Sequence, residues 1–376
     1  MRPELAGKTG GVHVSADAMR DLELDRLVNS FLPDASEAGA DGAFRFLRKY
    51  LTCDANEITK RQNIFMALGS VDGSLAQAEK IAEAWKTLAR SLCEAENAAR
   101  PLLAYAHRRN AARSYMQSVQ MLAKLFSGKK TGLENDNGHY AEISEYAGAV
   151  QSGDFYKLVG ECLDAADGCM TPPRNASVAY NVDDKGKVAS YGLTGVNNFA
   201  KDEAPAGIFG AGRKATGLGE AAMIRQKQSL AGLETFLFEK IEKRYKSPLA
   251  KALKIFGKIS FEPLRDWLDW LEPIFLYRAG LAFKRGVYGL GLRDCAARPE
   301  GESFSAANIS HPNSVLAGNA PVPVSLKFNA GDAVFVTGAN GSGKTTGLKA
   351  LAQNAVVAQL GFNVPAEKFC FAPQKS

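Results

Sequence analysis

Cysteine and histidine are both sparse in this chain. Its 376 residues hold six cysteines (Cys53, Cys93, Cys162, Cys169, Cys295, Cys370) and four histidines (His13, His107, His139, His311). No two cysteines form a Cys-x-x-Cys pair, and no histidine approaches them at zinc-ligand spacing. This excludes a zinc module built on that spacing and fits buried or free thiols in a reducing cytosol. No stretch reaches ~20 uncharged apolar residues, so no membrane span is expected. The opening MRPELAGKTGGVHVSADAM lacks the apolar run of a signal peptide. Internal repeats and low-complexity tracts are missing too. The expectation is a cytoplasmic protein with no membrane partner.

What is present is ordinary globular material, 46% hydrophobic and 23% charged. At roughly 100–200 residues per domain, the length allows two or three domains. A net charge of +6 permits a polyanionic partner without requiring one.

Apolar spacing predicts helices from Asp17 to about Phe126, including a long run over Leu75 to Leu92 and a restart at Pro101, which suits a first helical turn. Residues 127–138 read as a loop, and helix returns from about Tyr140 to Ala166. Thr171-Pro172-Pro173 breaks it. Ser177 to Val182 alternates, Asp183 to Gly186 is a turn signal, and Lys187 to Tyr191 is the expected return strand. A Gly- and Ala-rich segment covers 201–219. Helix resumes near Glu220 with Leu230, Leu233, Leu237 and Ile241 on one face. Ser247-Pro248 is expected to cap and start the next helix, and Glu262-Pro263 another that carries Trp267 and Trp270. From Ala320 the pattern turns α/β. Val322, Val324 and Leu326 alternate, Gly331-Asp332 turns the chain, and Ala333 to Thr337 reads as a short buried strand.

Directly after it stand Gly338-Ala339-Asn340-Gly341-Ser342-Gly343-Lys344-Thr345, matching G-x-x-x-x-G-K-[ST], with Thr346 next. A loop that wraps a phosphate needs inward N–H groups and close backbone approach, which glycine permits. The helix that follows adds unpaired N–H groups and the positive end of its dipole. Lys344 can reach the β- and γ-phosphates, and the Thr345 hydroxyl can ligate Mg²⁺. The expected apolar side of that helix carries Leu348, Leu351, Ala352, Ala355 and Val356. ATP with Mg²⁺ is the expected cofactor, held by Gly338 to Thr346.

The flanks choose among P-loop families. Ala358-Gln359-Leu360-Gly361-Phe362-Asn363-Val364-Pro365-Ala366 is similar to the stretch after the P-loop helix in the MutS family of mismatch-repair ATPases. His311-Pro312 resembles the pair that opens the MutS ATPase domain. Leu22-Glu23-Leu24, the run Phe46 to Leu51, Glu57-Ile58 and Arg61-Gln62 resemble motifs of the MutS core. The resemblance is intermittent over nearly the whole chain. It departs at Ala339, Gly341-Ser342 and Thr345-Thr346, where the family reads GPNMGGKST, and at Pro321 to Val324.

This resemblance implies a mainly α protein. Residues 1–310 would form a long-helix core and levers with a small β-containing clamp-like insertion at about 169–220. Residues 311–376 would be the N-terminal part of an α/β P-loop NTPase domain, incomplete because Walker B does not follow. It implies a nucleotide-gated clamp on the phosphate backbone of double-stranded DNA, mismatched or otherwise structured, which dimerises with a second copy when complete. Arg174, Lys185, Lys187, Lys201, Arg213 and Lys214 are the candidate DNA contacts. No catalytic residue is assigned within the chain, and ATP hydrolysis is expected only of the complete protein. An ABC- or SMC-like P-loop ATPase, or a non-catalytic helical scaffold with a degenerate ATPase, are the alternatives. The second basic run, Lys240 to Lys258, is interrupted by Glu239 and Glu242 and reads as a solvated helix face. Arg108, Arg109 and Arg113 read as structural.

Overall fold

The computed structural model describes residues 3–5, 12–32, 40–127, 139–170, 175–182, 184, 188–197, 227–299, 303–329 and 331–374. It is mainly helical, with a two-stranded and a four-stranded sheet. The chain divides into two compact units: residues 1–86, 117–153 and 266–376 form the first, and residues 87–116 and 154–265 the second.

In the first unit, α1 (Ala16–Asp21) starts on Ser15, whose hydroxyl accepts the Ala18 N–H at 3.0 Å. Next come α2 (Leu24–Phe31), α3 (Ala40–Tyr50) and α4 (Ala55–Gly69). Asp54 caps α4 by accepting from Asn56 and Glu57 N–H at 2.8 and 3.3 Å. α5 (Ser74–Glu96) and α6 (Pro101–Phe126) each begin in one unit and end in the other. α6 starts at Pro101, as expected, because a first-turn residue needs no N–H for the helical ladder.

The core of this unit is aromatic. Phe31, Phe65 and Phe283 close around Phe362, with ring centroids 5.8, 5.0 and 6.2 Å from it. Trp267 and Trp270 are buried, and their indole N–H groups bond Ser118 Oγ at 2.8 Å and Pro3 O at 2.6 Å. They serve packing rather than base stacking.

The second unit contains α8 (Asp154–Cys169), which follows α7 (His139–Ser152) of the first. It continues with the antiparallel pair β1 (Asn175–Val182) and β2 (Val188–Asn197), then α9 (Lys227–Arg244) and α10 (Lys246–Phe256). Both hairpin strands run longer than expected, and of the turn only Asp184 is described. Arg109 and Arg113 both bind the Asp167 carboxylate, and Arg108 lies over the Phe261 ring at 4.9 Å. Ser247 is not a cap: α10 begins at Lys246 after Tyr245, so Pro248 sits inside the first turn. Proline is tolerated there because first-turn N–H groups have no intrahelical acceptor.

α11 (Glu262–Leu271) crosses the boundary back to the first unit, where α12 (Ile274–Gly289) leads to a mixed sheet ordered β3-β6-β4-β5. β3 (Arg298–Pro299) runs parallel to β6 (Lys368–Phe371), while β4 (Ser303–Ile309) is antiparallel to both β6 and β5 (Val324–Asn329). α13 (Pro312–Leu316) and α14 (Lys344–Gln359) complete the unit. The expected strand over Ala333 to Thr337 is not formed. No described strand pairs with it, and Val334, Phe335 and Val336 are 57%, 88% and 50% exposed. An apolar β-branched sequence becomes a strand only where a neighbour takes its backbone N–H and C=O groups. Val322, read as alternating with Val324 and Leu326, is 87% exposed and precedes β5.

Candidate functional site: the glycine loop and its helix

Residues 338–343 are all exposed and lead straight into α14. Gly338, Gly341 and Gly343 have φ of 150°, 82° and 85°, values L side chains rarely adopt. A Cβ on Gly338 would stand 2.9 Å from Ser342 Oγ, so that position also needs the space. The result is a tight turn with its convex backbone bare.

Its amides are available. Ser342 N–H bonds to Ala339 O at 3.2 Å, and the ladder of α14 opens with Gly347 N–H to Gly343 O at 2.8 Å. Gly343 caps the helix without a side-chain bond, so the first-turn N–H groups of Lys344, Thr345 and Thr346 have no acceptor among the described residues. Lys344 folds back over the loop, donating from Nζ to Gly338 O and Ala339 O, both at 2.7 Å. An ammonium group, free amides and a helix dipole thus converge on a surface where no side chain blocks approach. Thr345 and Thr346 are exposed beside it. Two cavities of about 680 and 740 Å³ lie elsewhere in the same unit, and neither is lined by the loop.

Lower down, α14 corrects the sequence reading. Leu348 is 52% exposed, and Leu351, Ala352, Ala355 and Val356 are half-buried. The buried side is Ala350, Gln353, Asn354, Val357 and Ala358. Two fully buried amides sit on it, and both are hydrogen-bonded. Gln353 Nε2 donates to Leu22 O at 2.7 Å, and Gln353 Oε1 accepts from Asn313 N–H at 3.3 Å. Asn354 Nδ2 donates to Ser310 O at 2.9 Å and Ala350 O at 2.7 Å. At the helix end, Gln359 Nε2 donates to Thr52 O at 3.2 Å and to Gln374 O at 2.7 Å.

Sequence reading passed over Gln353 and Asn354 because their partners lie far away along the chain. The available signal was Gln353-Asn354 in mid-helix, where asparagine is a poor helix former and needs another reason to be there.

A charged rim adjoins them. Glu23, in the left-handed region at φ 52°, pairs with Lys349 at 2.5 Å. Hydrogen bonding from Lys349 outweighs partial burial and holds the Glu23 carboxyl below its usual range. His311 caps α13 by accepting Ser314 N–H on Nδ1 at 3.3 Å. Burial lowers its pKa, with Lys349 and Arg26 adding to the effect and Glu23 opposing it. Arg61 is 1% exposed and donates to Tyr50 O; burial lowers its pKa as well. Its stem packs on Gly361 (φ 86°), where an added Cβ would come within 2.5 Å of Arg61 Cβ. Gln62 Nε2 bonds Ala297 O at 2.8 Å.

The structure therefore gathers Leu22-Glu23, Arg61, His311 and Gln359 to Phe362 about one helix. No cluster of three or more metal-ligating side chains occurs among the described residues. The loop can supply one hydroxyl, from Thr345, to a cation otherwise held by phosphate and water. The candidate DNA contacts Arg174, Lys185, Lys187, Lys201, Arg213 and Lys214 lie outside the described residues. No described helix is long and apolar enough to cross a membrane. No protein-family model matches the chain, and no curated protein matches it.

Proposed function

We propose that this chain is a nucleotide-responsive DNA-binding protein of the MutS type, in which residues 338–346 hold the phosphates of ATP. The observation that carries the reading is the glycine-built loop, open to solvent, with free amides at the head of α14 and Lys344 folded over it. Three positive-φ glycines within six residues suit the loop to a bulky anion, because at those positions no Cβ keeps the backbone from approaching it. Lys344 would exchange its two carbonyl contacts for phosphate oxygens, and the Thr345 hydroxyl would hold Mg²⁺. The bound Mg²⁺ supplies charge neutralisation across the phosphates.

Below the loop, α14 is fastened through Lys349, Gln353, Asn354 and Gln359 to Glu23, Leu22, Ser310 and Thr52. A shift of its N-terminal turn on phosphate binding would therefore bias the helical body of this unit by population shift. Double-stranded DNA, contacted through its phosphate backbone, is the partner of this reading, and a second copy of the complete protein completes the assembly. The resemblance of residues 311–366 to the family favours this over a transport or chromosome-organising ATPase.

The test is titration of the full chain with a fluorescent ATP analogue in the presence of Mg²⁺. Lys344→Ala is expected to weaken binding more than tenfold. Equal binding by both proteins refutes the assigned cradle.

A further inference from the structure

α9 and α10 are separated by Tyr245 alone, whose N–H reaches Ile241 O at 2.9 Å and whose carbonyl accepts Leu249 N–H at 2.8 Å. The ladder breaks at this residue (φ −104°, ψ 19°), so each helix keeps its own phase. At about 100° per residue, Leu249, Ala252 and Phe256 share one side of α10, and all three are buried, as is Ile241 of α9. Lys251 and Lys254 fall within about 50° of the opposite direction on α10; Lys243 and Arg244 at the end of α9, and Lys258 just past α10, are exposed as well. None of these five forms an ion pair with a described residue.

The two acids that break the run in sequence do not break it in space. Glu239 stands one turn before Lys243, at the N-terminal edge of the run and not within it. Glu242 turns to the start of α6, where it accepts Leu102 N–H at 3.1 Å and lies 3.8 Å from Arg100. No Asp or Glu occurs from Lys243 to Phe261.

We propose that this stripe is a binding track for the phosphate backbone of duplex nucleic acid. From Lys243 to Lys254 it extends about 16 Å at 1.5 Å per residue, the span of about five phosphates along one strand. Between the cations lie only Ser247 and Ala250, so the face carries no apolar anchor of the kind a helix needs to lie on a membrane. The apolar face of the same helix is already sunk in its own unit. Rows of ammonium and guanidinium groups with nothing to read base edges give affinity without sequence preference. The identity of the polyanion rests on the DNA-binding part of the reading above; the position of the track does not.

The experiment measures binding of a fluorescent duplex of ~20 base pairs to the full chain between 50 and 200 mM salt. Five contacts give a log–log salt slope of about −4.5. K251Q/K254Q/K258Q is expected to shallow that slope by about 2.7 and to weaken binding at least tenfold. K80Q/K124Q/K368Q removes the same charge from the other unit and is expected to leave the slope within about one unit of wild type. Melting temperatures check that each variant is folded. If the two triple variants behave alike, the track is wrong while DNA binding stands. If the wild-type chain binds no duplex at the lowest salt, the DNA-binding part of the function falls with it. If the stripe variant loses binding to phosphatidylserine vesicles but keeps duplex binding, the partner assignment is overturned.

Discussion

The first turn of α14 faces solvent, with three unsatisfied amides and a lysine bonded only to loop carbonyls. Some ten residues on, the same helix is sunk among Leu22, Ser310, Asn313 and Thr52, and its buried amide side chains are bonded to distant backbone. The contrast separates what holds the helix from what the helix offers. Anchoring depends on shape and on hydrogen bonds to distant backbone, although Asn354 Oδ1 and Arg61 Nε and Nη2 are buried without a partner. The offer depends on amides left open at a turn that water can reach.

The sharpest way to break this division is at the anchored end. Gly361→Val forces a β-branched residue into φ 86° and into the stem of Arg61, and is expected to cost about 3 kcal/mol or more. Chemical denaturation measures it; a loss under about 1 kcal/mol would mean that the Arg61–Gly361 contact is not a constraint. Asn354→Leu keeps the branching at Cγ, though not the volume, and strands Ser310 O, with an expected loss of about 2 kcal/mol by the same measurement. A neutral result would show that water or a neighbour replaces the amide.

Smaller is the pH effect at His311. Burial favours its neutral ring, so the folded state binds fewer protons than the unfolded one. Stability is then full above the ordinary imidazole value of about 6.5 and is lost as pH falls through the lowered folded value. Melting followed from pH 8 to 5.5 should fall further for wild type than for His311→Asn, which caps without titrating. Parallel curves would remove His311 as the cause. Smallest of all is Lys344→Ala, whose melting should stay within about 0.5 kcal/mol of wild type while its nucleotide binding collapses.

The loop was legible because its chemistry is local: glycine, lysine and hydroxyl stand within nine consecutive residues and need no tertiary partner to be recognised. The helix after it was misread for the opposite reason. Counting apolar residues selected Leu348, Leu351 and Val356, yet the buried side carries Gln353 and Asn354, whose partners are hundreds of residues away or across a β-connection. Ala333 to Thr337 has the composition of a strand, but strand formation belongs to a pair and not to a segment. Glu242 interrupts the second basic run only when it is read linearly, since its carboxylate is taken by Leu102 N–H and Arg100, and Glu239 stands at the edge of the run. Leu22, Glu23 and His311 converge on α14, although no spacing rule brings Leu22 to Gln353.

That last contact bears on how the protein is made. Leu22 and Gln353 are 331 positions apart, so the carbonyl of one is synthesised well before the amide of the other exists. At about 5–20 residues per second, roughly a quarter of a minute to a minute separates them on the ribosome. For most of that interval α2 carries Leu24, Leu27, Val28 and Phe31 without α12 and α13, which later pack against it, a surface suited to a chaperone.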